Sequence, residues 1–181
     1  MSLSAHRGWR AVRVTVLGGV LLLTLLVAGC AKQGPSVVAY VDNSKITQQQ
    51  VDDAVEGVSS ILQEGQSVSR AAVVNAMIHG VIAENLAAAN KITITDGDRD
   101  ALIKNSNLAG LLNVPKGRPI AYDVADQQIV SEKLGSEAYI AALAKQQVIL
   151  NPRFGVLDPN QKTIITDKSA SLTEPLPSPT P

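Results

Sequence analysis

One side chain in this 181-residue chain is placed for a definite reaction, the thiol of Cys30. It is the only cysteine, so it has neither a disulfide partner nor a companion thiol for a metal site. It follows Leu26-Val27-Ala28-Gly29, where small residues succeed an apolar run, as in a bacterial lipobox. The pattern predicts cleavage between Gly29 and Cys30 and attachment of a diacylglyceryl group to the sulfur, which would anchor the protein to the outer face of a membrane.

The 29 residues before this cysteine are organised as an export signal. Arg7, Arg10 and Arg13 provide a positive start without an acidic residue, and an uncharged run follows over residues 14–27. The alternative is an uncleaved transmembrane helix, which needs about 20 apolar residues. This run is shorter and contains two glycines, so we predict a cleaved signal and an extracytoplasmic, lipid-anchored protein.

The net charge of the mature chain argues against nucleic acid and anionic lipid headgroups as partners. The chain has 16 basic and 16 acidic residues, and loss of the three signal arginines leaves 13 basic residues against 16 acidic ones. A slightly acidic mature protein has no electrostatic basis for binding nucleic acid or anionic lipid headgroups. The membrane is therefore expected to be contacted through the lipid anchor.

The other candidate side chains do not form a catalytic constellation. His79 is the only histidine after cleavage, and no spacing indicates the orienting partner and nucleophile that a general base requires. It follows Ile78 on a predicted buried helix, which favours a structural role. Residues 110–117 lack the Lys-Ser/Thr ending of a phosphate loop. We therefore predict no enzyme, no cofactor and no nucleotide.

Three alternating aspartates resemble the start of a calcium loop. Asp96, Asp98 and Asp100 have the spacing of its first three ligands. Such a loop requires glycine at its sixth position and glutamate at its twelfth, but Ala101 and Asn107 occupy those positions. Helix capping is the simpler interpretation, and no metal site is predicted.

Hydrophobic patterning divides the mature chain into a tether, one domain and a tail. Residues 30–36 form the lipidated cysteine and a short polar tether, and residues 158–181 form a Pro-rich tail predicted to be largely disordered. Residues 37–157 are predicted to be mainly α, with about five helices and a small β-sheet. The sheet is expected to combine an N-terminal hairpin with a C-terminal strand segment.

The hairpin is predicted from residues 37–41 and from the short return at 45–46. Asp42 and Asn43 lie between them, and both tolerate the positive φ that a type I′ turn demands. Thr47, with a glutamine three residues on, predicts a capping box at the start of the first helix. Helices are predicted at about 48–64, 69–90, 95–112, 120–134 and from 136, the last directing Tyr139, Ile140 and Leu143 inward.

The C-terminal segment is expected to complete the sheet. Residues 147–150 are β-prone, Pro152 interrupts them, and residues 154–157 resume the pattern. A two-stranded hairpin alone is marginally stable in water, so this segment is the best candidate for a third strand. Arg153 is predicted to pair with an acidic residue of the sheet, with partner contact as the alternative.

Three stretches of this layout resemble the N-terminal domain of SurA and PrsA type extracytoplasmic chaperones. Residues 38–47 are similar to the family's strand, "V-N-G" turn and I-T helix start, with Asp42-Asn43 where Asn-Gly is usual. Residues 75–100 are similar to its long helix and "I-x-V-T-D" continuation. Asn151-Pro152-Arg153-Phe154-Gly155 is similar to the closing element of lipoproteins in this group.

The resemblance implies an ATP-independent chaperone that binds unfolded or assembling exported proteins through apolar surface. Relatives often carry a prolyl isomerase domain after this region, whereas 24 residues follow Leu157 here, so no isomerase activity is expected. The alternative is an adaptor lipoprotein that docks one envelope protein. A small-molecule carrier is less favoured because such pockets usually use aromatic residues, of which the mature chain has four.

Overall fold

The computed structural model describes residues 36–165. The described part is mainly α with a small sheet, as predicted. Its helices are α1 (Gln48–Ser59), α2 (Arg70–Ala89), α3 (Asp96–Lys104), α4 (Arg118–Leu134) and α5 (Ser136–Lys145), with 3₁₀ turns at Ala109–Asn113 and Pro152–Phe154. Its strands are β1 (Val37–Val41), β2 (Ser44–Thr47), β3 (Val148–Leu150), β4 (Val156–Leu157) and β5 (Ile164–Ile165).

Three strands form an antiparallel sheet in the order β2-β1-β3. Tyr40 of β1 lies opposite Lys45 on one side and Ile149 on the other. The backbone N–H of Asn151 donates to the Val38 carbonyl at 2.8 Å, which extends the pairing past β3. The predicted union of the N-terminal hairpin with a C-terminal strand is confirmed, and it gives the hairpin the third strand that it needs.

The continuation of that strand differs from the prediction. Residues 152–154 form a 3₁₀ turn, and β4 then pairs with β5 in a separate two-stranded sheet. Structure therefore extends beyond Leu157, the predicted end of the domain, to Ile165. The extension is attached to helix α2, because the Ile164 N–H donates to Oδ1 of Asn75 on that helix at 2.6 Å. Asn75 and Ile164 are 89 residues apart in the chain, so neighbouring residues gave no sign of this contact.

The hairpin turn is also not the predicted type I′. Asp42 has a φ of 49°, but Asn43 is not among the described residues with positive φ, whereas type I′ requires both. Tertiary contacts hold Asp42 in place. Its N–H donates to the Gln147 carbonyl at 2.8 Å, and its carboxylate accepts from the Gln147 N–H at 3.2 Å and from Nδ2 of Asn85 at 3.1 Å.

Capping chemistry sets the helix starts. Thr47 and Gln50 form the predicted capping box: the Gln50 N–H donates to Thr47 Oγ1 at 3.3 Å, and the Thr47 N–H donates to Gln50 Oε1 at 2.8 Å. The first helix ends earlier than predicted, at Ser59, where the Ser60 hydroxyl donates to the Gly57 carbonyl at 2.6 Å. The third helix ends at Lys104, and the Ser106 hydroxyl donates to the Ile103 carbonyl at 2.8 Å.

The core is centred on α2 and α4, which pack along much of their length. Helix α2 is long and apolar enough to cross a membrane by length and composition, but 56% of its most apolar window is buried within the domain, so it reads as the central helix of a folded core. One core prediction was wrong: Ile140 is 61% exposed, while Tyr139 and Leu143 are buried. Residues four apart share a helix face, and Ile140 is rotated off it.

Candidate binding cleft

A cleft of about 370 Å³ lies where β2, α1, α2 and α4 meet the loop before α4. Its polar lining residues are Lys45, Gln50, Asp53, Lys116 and Asp123. Its apolar walls include Ile46, Ala54, Met77, Val81, Pro119 and Ile120. A mainly apolar recess with a few converging polar groups is the usual form of a binding site.

Two glycines bring the loop against α1 and so form one wall of the cleft. A Cβ atom on Gly57 would lie 2.4 Å from the backbone nitrogen of Gly117, and one on Gly117 would lie 2.7 Å from Cδ2 of Leu111. Real Cβ atoms do not approach other atoms so closely. The close backbone contact of α1 with the start of α4 therefore depends on glycine at these positions.

The rim next to this contact is held by ion pairs. Nζ of Lys116 lies 2.7 Å from Oε2 of Glu56 and 3.2 Å from Oδ1 of Asp53. The hydrogen bond to Glu56 is the main reason that the pKa of Lys116 is raised, and the hydrogen bond from Gln49, followed by that from Lys116, lowers the pKa of Asp53. Because these side chains are exposed, their pairing mainly orients the rim.

Asp123 is partly buried, and it differs from the rim carboxylates because it forms no ion pair within the described residues. It packs against α2 at Gly80, where an added Cβ would lie 2.4 Å from the Cβ of Asp123. Burial, and secondarily the negative charges of Asp126 and Glu84, raise the pKa of Asp123 to about 7. Among residues 36–165 no side chain forms a hydrogen bond or ion pair with this carboxyl group. The cleft thus contains an unpartnered carboxyl group that titrates near neutral pH.

Arg99, the cation whose charge acts on Asp123, already has carboxylate partners. Nε of Arg99 donates to Oδ1 of Asp126 at 2.7 Å, and Nη2 donates to Oδ2 at 2.9 Å, a bidentate pair. Nη1 also donates to Asp96 at 2.9 Å. These contacts, led by the hydrogen bonds to Asp126, raise the pKa of Arg99. Arg99 therefore neutralises Asp126 and only partly offsets the charge on Asp123.

All three alternating aspartates have side-chain or backbone partners, and the predicted capping role is confirmed for Asp98. The Asp98 carboxylate accepts from the Thr95 N–H at 2.9 Å in a second capping box. Asp96 pairs with the arginine described above. Asp100 accepts from the Tyr122 hydroxyl at 2.8 Å.

The predicted site residues do not converge on the cleft. Cys30 and Gly29 lie outside the described residues. Arg153 is exposed and, within residues 36–165, makes no ion pair, so the predicted pairing with an acidic residue of the sheet is not observed. Asn43 and Pro152 serve turns, and Phe154 packs against the core. Gly155 has a φ of 124° and its Cβ position is 2.8 Å from Cγ2 of Ile164.

His79 lies on α2 facing the C-terminal extension. It is 8% exposed and lies near the backbone of Gln161, but neither ring nitrogen has a hydrogen-bond partner among the described residues. Burial is the main cause that lowers its pKa. This placement accords with the structural role predicted for His79.

Sequence reasoning missed Asp123, the residue with the most perturbed carboxyl group of the cleft. A signal was present: Asp123 and Asp126 lie three apart on a helix whose apolar residues include Ile120 and Ile129. Two acids at that spacing share a face with apolar neighbours. That pattern indicates a partly buried acidic pair, but only the position of Arg99 on α3 shows that Asp126 is paired and Asp123 is not.

No protein-family model, curated protein or solved structure matches this chain. Its function is therefore argued from the cleft and from the sequence.

Proposed function

We propose that this protein is a lipoprotein anchored through Cys30 outside the cytoplasm, where it binds segments of unfolded or assembling exported proteins without ATP and without prolyl isomerase activity. The observation that carries the proposal is the cleft, in which apolar walls surround a small number of polar groups. The resemblance to SurA and PrsA type chaperones and the export signal also support it. The client segment would place aliphatic side chains in the cleft.

Reversible binding follows from the size of the cleft. Burial of one aliphatic side chain contributes roughly 1.5–3 kcal/mol, and about 370 Å³ accommodates few such groups. Association also costs several kcal/mol of lost freedom. A segment would therefore be held weakly and released without an energy source, as a chaperone without ATP requires.

The alternative is an adaptor that docks one envelope protein, and one observation favours it. Within residues 36–165, three large apolar side chains are exposed: Ile140, Ile149 and Val156. A general chaperone usually offers a larger contiguous apolar surface. A small cleft with an oriented charged rim suits recognition of one defined segment.

Photocrosslinking in intact cells tests both functions. Lys45, exposed on β2 at the rim of the cleft, is replaced by p-benzoylphenylalanine in the full chain. The matched control carries the same group at Glu132, which is exposed on α4 outside the cleft lining. Many exported proteins crosslinked only from position 45 support the chaperone, and one stoichiometric product supports the adaptor. Equal crosslinking from both positions would contradict the proposal.

A further inference from the structure

The carboxyl group of Asp123 is a feature that the packing of the domain does not explain. Even partial burial of a carboxyl group without a partner costs free energy, and the fold holds this one against α2 at a position where only glycine fits, Gly80. The charged groups that act on it are Asp126 on the same helix, Glu84 on α2 and Arg99 on α3. The first two repel its charge, and the third is bound to Asp126.

The cations of the cleft itself do not neutralise it either. Lys116 is paired with Glu56 and Asp53 at the rim. Lys45 makes no ion pair with Asp123 within the described residues. The charge of an ionised Asp123 is thus offset only in part, by Arg99, and it lies beside apolar walls, so the cleft is complementary to a ligand that brings both a positive charge and an apolar stem.

We infer that the cleft selects a basic side chain, lysine above all, from the bound segment, with its ammonium group on the carboxylate of Asp123. The methylene stem would lie along Met77, Val81 and Ile120, which line the same cleft. Lysine joins a compact charge to a flexible apolar chain. The inference rests on the proposed function and specifies the chemistry of its ligand.

The proposed contact between a lysine ammonium group and Asp123 also predicts that peptide binding depends on pH. Asp123 has a pKa of about 7, and a lysine ammonium has one of about 10.4. Between these values the carboxylate and the ammonium are both charged, whereas acidification protonates Asp123 first. Binding of a lysine segment should therefore strengthen from about pH 6 to about pH 8, and binding of an uncharged analogue should not.

The experiment uses the full chain in detergent micelles and fluorescent peptides of alanine and leucine with one central lysine, acetyl-lysine or norleucine. Fluorescence anisotropy measures each dissociation constant at the two pH values. At the higher pH the lysine peptide should bind about tenfold tighter than the norleucine peptide, as a charge-assisted contact implies. This preference should shrink at the lower pH and vanish in Asp123→Asn, while the matched α4 variant Glu132→Gln keeps it.

The outcomes separate the inference from the proposed function. If both peptides bind equally, or if the lysine preference survives in Asp123→Asn, the inference is wrong and apolar binding in the cleft stands. If no peptide binds and position 45 yields no specific crosslink, both are wrong. The pH profile of the wild-type protein tests the ion pair even if Asp123→Asn folds poorly.

Discussion

Gly80 of α2 and Asp123 of α4 are in such close contact that a methyl group on Gly80 would lie 2.4 Å from the Cβ of Asp123. The contact joins the two central helices and partly buries the carboxyl group at the edge of the cleft. The close packing of α2 on α4 and the most perturbed carboxyl group of the cleft therefore depend on the same glycine.

Gly80→Ala tests this contact. The added methyl group must displace Asp123 or separate the helices, so we expect the free energy of unfolding to fall by about 1–3 kcal/mol, measured by urea denaturation. Gly97→Ala on α3 is the matched control, since its Cβ would meet only the Thr95 hydroxyl at 3.5 Å. Equal stability of the wild-type protein and Gly80→Ala would contradict the predicted clash.

Asp123 should make the protein less stable as pH rises. Its pKa is raised from 3.8 to about 7 in the folded state, so the folded protein binds the proton more tightly than the unfolded one. The resulting stability is complete below about pH 4 and is lost as pH rises through about 7. Asp123→Asn should remove this dependence of stability on pH, and the variant should be more stable than the wild-type protein at about pH 8. Urea denaturation across this pH range measures both effects.

His79 should make the protein less stable as pH falls, the reverse of the effect of Asp123. Burial lowers its pKa below the ordinary value of 6.5, so the unfolded chain binds the proton more tightly. The stability is present above pH 6.5 and is lost as pH falls through the folded-state pKa. His79→Leu should reduce the acid sensitivity of unfolding. NMR titration of the ring checks the cause, and an imidazole that titrates above 6.5 would refute it.

The Arg99–Asp126 pair should matter more than the Arg70–Asp52 pair. The side chains of Arg99 and Asp126 are 19% and 9% exposed. Those of Arg70 and Asp52 are 42% and 45% exposed. Arg99→Met leaves a buried charge without a partner and should cost about 3–5 kcal/mol, whereas Arg70→Met at the exposed pair should cost at most about 1 kcal/mol. Thermal unfolding compares the two variants, and equal losses would show that burial does not govern the difference.

Cys30→Ser tests the predicted anchor. Loss of the sulfur removes the atom to which the diacylglyceryl group would be attached, so incorporation of labelled fatty acid should stop. Circular dichroism should show the same helical content, because the core residues identified within residues 36–165 do not include position 30. Labelling at the wild-type level would contradict the lipobox interpretation.

Local chemistry explains most of what could be predicted. The capping boxes at Thr47 and Thr95 are each complete within four consecutive residues, and both are present in the structure. Apolar spacing located five helices and the strand that completes the sheet, although α1 and α3 are shorter than predicted. The hairpin turn was assigned wrongly because Asp42 is held by Gln147, 105 residues away.

The sequence by itself predicts the export signal and the lipidation of Cys30, and it correctly predicted the mainly helical class and the order of the elements, since each depends on neighbouring residues. Only the tertiary structure decided that Asp123 is partly buried without a partner among the described residues, that Ile140 faces solvent, and that β5 is attached to Asn75. The reason is physical: burial and charge pairing depend on which helix faces meet. Here that meeting is set by close contacts between residues far apart in the chain.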